Sequence, residues 1–382
     1  MSYKVKIPKC KFRLFLFILY NFFFVLYMAK KISNIYYLIT ISLFCISNFI
    51  VLLAKKRKIS FGIKETKLGM FYIISLLVIS LLIQLNNNDF KFNILFNDII
   101  RMTLPIINGF IFVNTIDEKD FNTFFNIFLI RFILQFIFLN LNFITLRNIL
   151  SISWVNSTSS MESSLAHDFI IMEMYYLYNN NRIKSIICMI FCMLSMKRLS
   201  FILAPILYLF SKKISNYKLK EFQIRILKIC AIASPFIVLG LYSNYMQNFL
   251  HSHFGLDLNT IMSGRIQIYK TLSKNIPYYN GLGSSNAFLS SFVKSKYGTT
   301  WDGILHNDFL RLLLETTIVG VIIVANNLVE ICKKNTWIFL MGCYLIIVAI
   351  TSHIFNYFSV WITFYMIVMI PEKYKLKNEV TK

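Results

Sequence analysis

The chain has 382 residues, of which 57% are hydrophobic and only 15% charged, with a mean hydropathy of +0.61. Soluble domains carry charge on roughly a quarter of their residues, so an ordinary soluble enzyme is excluded. The apolar runs are continuous rather than alternating, which also argues against a β-barrel. A formal net charge of +23 would suit a nucleic-acid partner in a soluble protein. In so apolar a chain topology explains it better, because Lys and Arg concentrate on the cytoplasmic side of membrane proteins.

A bilayer core takes about 20 apolar residues per helix. Runs of this kind predict twelve spans, at 12–29, 34–54, 68–85, 94–116, 121–142, 165–179, 184–196, 199–211, 226–243, 309–331, 336–352 and 355–370. The first is followed by Lys30-Lys31 and not by a small-residue cleavage site, so it reads as a retained helix and not a signal peptide. The sixth to eighth are short, which predicts tilted or partly re-entrant segments. With the N-terminus inside, 26 of the 40 basic residues fall on cytoplasmic segments and 11 on outer ones. The expected fold is therefore all-α: a polytopic integral membrane protein of about twelve transmembrane helices, with both termini cytoplasmic. Residues 1–382 form one membrane domain, with a large outer loop, 244–306, between spans nine and ten. The seven cysteines are scattered over apolar segments, and the i,i+4 pair Cys188 and Cys192 reads as packing.

All five histidines, His167, His251, His253, His306 and His353, fall at or near the outer face in this arrangement. So do Lys197 and Arg198, in the turn between two short spans. These cations either snorkel to lipid headgroups or grip phosphate, for which a guanidinium's planar fork is suited. Arg265 opens an amphipathic segment, Ile266-Gln-Ile-Tyr-Lys-Thr-Leu, and would lie near a helix N-terminus that also favours anions. It reads equally as a solvated loop arginine. Asn307 or Asp308 is an expected N-cap for the next apolar run. His306 would then stand at the mouth of that helix, as a general base, a hydrogen-bond partner for phosphate or simply a hydrated residue. Glu162, His167 and Asp168 cluster just outside span six and could line the same cavity.

Ionisable residues inside spans are costly and read as functional by default. Asp98 and Arg101, spaced i,i+3, could neutralise each other, and Arg131 could pair with Glu173. Arg311 and Glu315, spaced i,i+4, read as a structural pair. His251-Ser-His253 lacks companion ligands for a metal. Gly281-Leu-Gly283 lacks a dinucleotide-fold context and reads as a turn before a helix near Ser285 to Lys294.

Taken in order, these motifs resemble the O-antigen polymerase and O-antigen ligase superfamily of bacterial polysaccharide membrane proteins. The resemblance rests on the Lys197-Arg198 turn, the Arg-led helix at Arg265, and Ile276-Pro-Tyr-Tyr-Asn-Gly-Leu-Gly283. His306-Asn307 and Glu315-Thr-Thr-Ile-Val-Gly320 complete it. Two departures stand out: Tyr269 where many members have Trp, and Lys197 where the ligases have Ser. The Lys-Arg form, with the absence of a strong ligase signature, tilts the reading to a polymerase.

The resemblance implies a metal-independent and cofactor-free glycosyltransferase of the bacterial inner membrane, with the large loop periplasmic. It would move glycan from an undecaprenyl-pyrophosphate-linked oligosaccharide to another lipid-linked repeat. Arg198, Arg265 and His306 would be catalytic. Lys197, Arg101, Glu162, His167, Asp168 and Asn307 would contact substrate. Membrane lipid and a chain-length regulator protein are candidate partners, and nucleic acid is not. The rivals are an O-antigen ligase, with lipid A-core as acceptor, and a lipid-linked oligosaccharide flippase, for which internal repeats would be expected.

Overall fold

A computed structural model describes residues 10–33, 35–54, 61–140, 163–255, 265–275, 280–297 and 305–370. All regular structure among them is helical. In chain order the helices are α1 (Cys10–Met28), α2 (Ile35–Ala54), α3 (Ile63–Asn86), α4 (Phe92–Thr115) and α5 (Glu118–Asn140). Then come α6 (Leu165–Tyr178), α7 (Arg182–Leu194), α8 (Arg198–Ser215), α9 (Glu221–Tyr242) and α10 (Asn244–Phe254). The last five are α11 (Arg265–Asn275), α12 (Ser284–Tyr297), α13 (Asp308–Cys332), α14 (Thr336–Thr351) and α15 (Phe358–Val368), the last preceded by a 3-10 turn, Ile354–Asn356.

Each predicted apolar run contains a helix. Seven helices (α1 to α5, α9 and α13) are long and apolar enough to cross a membrane. Their outward faces carry bare Phe, Leu and Ile, among them Phe71, Leu82, Ile130 and Phe236. Apolar cover on this scale is unstable in water and ordinary against acyl chains. Pro105, Pro205 and Pro235 lie inside helices, as membrane helices tolerate. The fold is that of a helical membrane protein.

The chain forms two compact units. One comprises residues 1–63, 107–216 and 362–382, the other 64–106 and 217–361. In the first, α1 packs on α2 and α5, and α6 packs on α5, α7 and α8. Its interior is aromatic: the Phe17 ring meets Phe44, Phe124 and Phe128 with centroids 4.8–5.1 Å away. The two buried arginines here bond neutral groups. Arg13 donates to Asn48 Oδ1 (3.1 Å) and to the Thr115 carbonyl (2.9 Å). Arg131 lies 4.0 Å over the Phe24 ring and donates to Asn21 Oδ1. Its expected pairing with Glu173 does not form. Glu173 is fully buried on α6, and neither carboxyl oxygen has a hydrogen-bond partner among the described residues. An aromatic cage shields a guanidinium through its ring faces, so Arg131 needs no counter-charge.

In the second unit α13 is central, packed on α9, α12 and α14. Asparagines begin its helices: Asn307 accepts from the Leu310 N–H (2.8 Å) and Asn335 from the Ile338 N–H (3.0 Å). The polar run after Ser243 is itself helical. The Ser243 hydroxyl caps α10, and Gly255, at φ +63°, ends it.

Candidate functional site

The second unit assembles most of the loop motifs around the first half of α13. That helix is broken at Thr317, whose φ of +64° is rare for a β-branched residue. The break withdraws Val319 from the helical ladder, and its N–H turns to the Thr317 hydroxyl (3.3 Å). The Glu315 carbonyl accepts instead from the Gly281 N–H (3.1 Å). A loop glycine thus closes a gap in a membrane helix.

The Glu315 side chain extends the same junction. Its Oε2 accepts from the Gly283 N–H (2.8 Å) and from Arg311 Nε (3.1 Å), and its Oε1 from the Ser285 N–H (3.0 Å) and the Ser285 hydroxyl. These amides form the N-terminus of α12, where a carboxylate is well placed against the helix dipole. Gly-Leu-Gly is therefore a turn, as its context suggested, and the protein's own carboxylate fills the anion position above it. Arg311 also binds Asp98 through Nη2. Asp98 is thus committed to another helix and not to Arg101, which is exposed further along α4. The expected i,i+3 neutralisation gives way to a longer-range pair that buries a guanidinium between two carboxylates.

Smaller contacts finish the docking. The Leu282 N–H donates to Ser80 Oγ (3.0 Å), and Asn280 donates to Asp89 Oδ2 (3.1 Å). The Lys91 ammonium, and after it the Asn280 amide, hold the Asp89 carboxyl below its ordinary value. Gly281 and Gly283 have φ of +86° and +88°. A Cβ at 283 would lie 2.6 Å from Ile94 Cγ2. Gly283→Ala should therefore cost roughly 3 kcal/mol, from the left-handed backbone and the clash together. Gly240→Ala, where a Cβ meets nothing within 4 Å, should leave the melting temperature in detergent unchanged or slightly raised.

His306 sits just before the Asn307 cap. Asn286, on α12, accepts from the Leu305 N–H (3.0 Å), so the Gly-Leu-Gly docking is passed on to the residue beside His306. His306 Nδ1 lies 2.9 Å from His353 Nδ1, and His353 Nε2 lies 3.0 Å from the Tyr357 hydroxyl. Asp308 is not the cap. Its Oδ2 accepts from the Phe355 N–H (2.9 Å) and pins the corner that carries His353 and Tyr357 against the start of α13. The Trp361 indole N–H donates to the Ile354 carbonyl (2.9 Å) and braces the same corner.

A chain of two imidazoles and a phenol has two neutral arrangements. When His353 Nδ1–H donates to His306, the tyrosine donates to His353 and His306 Nε2 carries a proton. When His306 Nδ1–H donates, His353 Nε2–H donates to the tyrosine oxygen and His306 Nε2 is a base. The arrangement can thus take up or deliver a proton at one atom.

The remaining expected residues are distributed as follows. Asn307 is the buried cap. Arg265 opens α11, which packs on α12 and buries Ile266 and Leu272; the Arg265 side chain lies outside the described set. Tyr269 meets Tyr242 at 5.3 Å between ring centroids, an aromatic partner for the position where Trp would be expected. The first unit holds Lys197, Arg198, His167 and Asp168. Met196, at φ +55°, makes the turn, Lys197 precedes α8, and Arg198 is its exposed first residue. His167 and Asp168 are buried in the first turn of α6. Glu162 lies outside the described residues. Among the described residues no three His, Cys, Asp or Glu side chains group as metal ligands.

Nothing in the sequence singled out His353 and Tyr357 as partners of His306. The sign was Ser352-His-Ile-Phe-Asn-Tyr357, a polar interruption between two strongly apolar helices. Compared with protein-family models and with curated proteins, the chain matches none.

Proposed function

We propose that the protein is an oligosaccharide repeat-unit polymerase of a bacterial inner membrane. It has twelve spans with both termini cytoplasmic, and works on lipid-pyrophosphate-linked glycan at the periplasmic face. The observation that carries this reading is the His306–His353–Tyr357 chain, docked at the head of α13 by the loop that holds the Arg265 helix. The acceptor hydroxyl forms a new C–O bond to the anomeric carbon and gives its proton to His306. The old anomeric C–O bond breaks, and its electron pair leaves with the pyrophosphate. Arg265, at the N-terminus of a helix, stabilises that leaving charge without a metal, and the resemblance gives Arg198 the same role.

The experiment is elongation of a lipid-linked repeat unit by the purified protein in detergent, without nucleotide. Alanine at Arg198, Arg265 or His306 should each slow elongation by roughly a hundredfold or more while leaving the protein folded. Three active variants would overturn the site. A ligase is distinguished in a deletion strain: loss of a polymerase leaves lipid A-core capped by one repeat, whereas loss of a ligase leaves it bare and strands polymer on the carrier.

A further inference from the structure

A second polar site lies in the first unit, well along the chain from the histidines, and does not depend on the reading above. The turn after α6, the start of α7 and the last turn of α8 enclose an open pocket of about 270 Å³. Its polar lining is Asn180, Arg182, Ser211, Lys212, Ser215 and Asn216, with no carboxylate among the described residues. No acidic side chain among the described residues pairs with Arg182 or Lys212.

The contrast with the pocket of about 370 Å³ beside α3 and α13 is informative. There Lys64, Lys333 and Lys334 face Glu65, Glu221 and Glu330. Lys333 bonds Glu330 at 2.6 Å and Lys334 approaches Glu65 at 3.6 Å. That pocket neutralises itself, and the Arg182–Lys212 pocket does not.

Helix ends account for part of this charge, since carbonyl termini favour cations. Those termini are already well supplied by their own backbone. The Asn179 and Asn180 N–H groups close on the Leu177 carbonyl, and the Asn181 N–H on that of Tyr176. The Asn216 N–H closes on the carbonyls of Ile214 and Lys212. Lys184, the next cation along, is used elsewhere, donating to Asn126 at 2.8 Å. Two cations with hydroxyl and amide donors around them make a pocket for a phosphate-sized anion.

What surrounds it indicates the source. Ile183 and Leu209 are each 75% exposed and Phe210 51%. They are one to three positions from Arg182 or Lys212, so the pocket lies where an apolar surface meets a polar one. A phosphate there would have room for acyl chains beside it. Basic pockets between helices where an apolar surface meets a polar one suit anionic lipid headgroups in this way. We propose that Arg182 and Lys212 bind the phosphate of an anionic phospholipid.

The test uses the full-length protein in non-ionic detergent, with dioctanoyl phosphatidylglycerol, dioctanoyl phosphatidylcholine and inorganic phosphate as separate probes. Retained lipid is counted by native mass spectrometry. Phosphatidylglycerol should bind in preference to phosphatidylcholine, and Arg182→Gln/Lys212→Gln should weaken it roughly thirty-fold. Lys213→Gln/Lys218→Gln removes the same charge outside the pocket and should change little. The exchange Arg182→Lys/Lys212→Arg keeps both cations and should retain binding, which separates the site from a folding defect. Equal loss in the two glutamine variants, or no loss in either, would overturn the site. Inorganic phosphate binding as tightly as the lipid would overturn the lipid and assign the pocket to free phosphate.

Discussion

Glu315→Ala should destabilise the protein by roughly 3–5 kcal/mol, the range for breaking a buried ion pair from one side. The carboxylate accepts from Gly283, Ser285 and Arg311. Its removal leaves two amides, a hydroxyl and one edge of a buried guanidinium without an acceptor. Water cannot replace them cheaply, because Glu315 is 1% exposed. Arg311 retains Asp98, so the loss should fall mainly on the loop. Hydrogen exchange over 284–297 should then accelerate more than exchange over 336–351, together with a fall in melting temperature. Glu315→Gln keeps one oxygen acceptor and should fall between the two. An alanine variant that melts with the parent and protects 284–297 equally would show that the loop is docked by its apolar contacts alone.

The same residue illustrates what a sequence can and cannot convey. Arg311 and Glu315 are legible as a pair because one helical turn separates them, and they do bond at 3.1 Å. That Glu315 also caps α12, about thirty residues earlier, is not a matter of spacing. It depends on a helix break at Thr317, which the residue types there do not announce. Apolar runs, in contrast, report local facts, and helices occupy them within a few residues of the expected ends. A cap at Asn307 or Asp308 was legible for the same reason, and Asn307 fills it. Asp98 and Arg131 mark the limit. Helical spacing offered Arg101 to one and charge offered Glu173 to the other, yet the fold supplies Arg311 and an aromatic cage. Residues that meet through tertiary packing leave little trace in a single sequence. His353 belongs with these: nothing local signalled its bond to a histidine 47 residues away.

On the proposed chemistry, His306→Ala should reduce the elongation rate roughly 10²- to 10⁴-fold, the usual contribution of a general base, and leave melting nearly unchanged. His353 and Tyr357 separate a relay from a lone base. If His306 acts alone, His353→Gln should alter little beyond local packing. If the bond between the two Nδ1 atoms fixes which nitrogen of His306 carries the proton, His353→Gln should lower kcat roughly ten- to a hundredfold. It should also displace the pH–rate profile, because coupled groups titrate as a pair. Tyr357→Phe removes only the distal hydroxyl and should produce a smaller change in the same direction. Substrate affinity should hold across the series, since neither residue is proposed to touch the glycan. A His353→Gln enzyme with parental kcat and pH profile would make the imidazole contact structural and leave His306 as the sole base. A loss confined to KM would instead place His353 against the substrate.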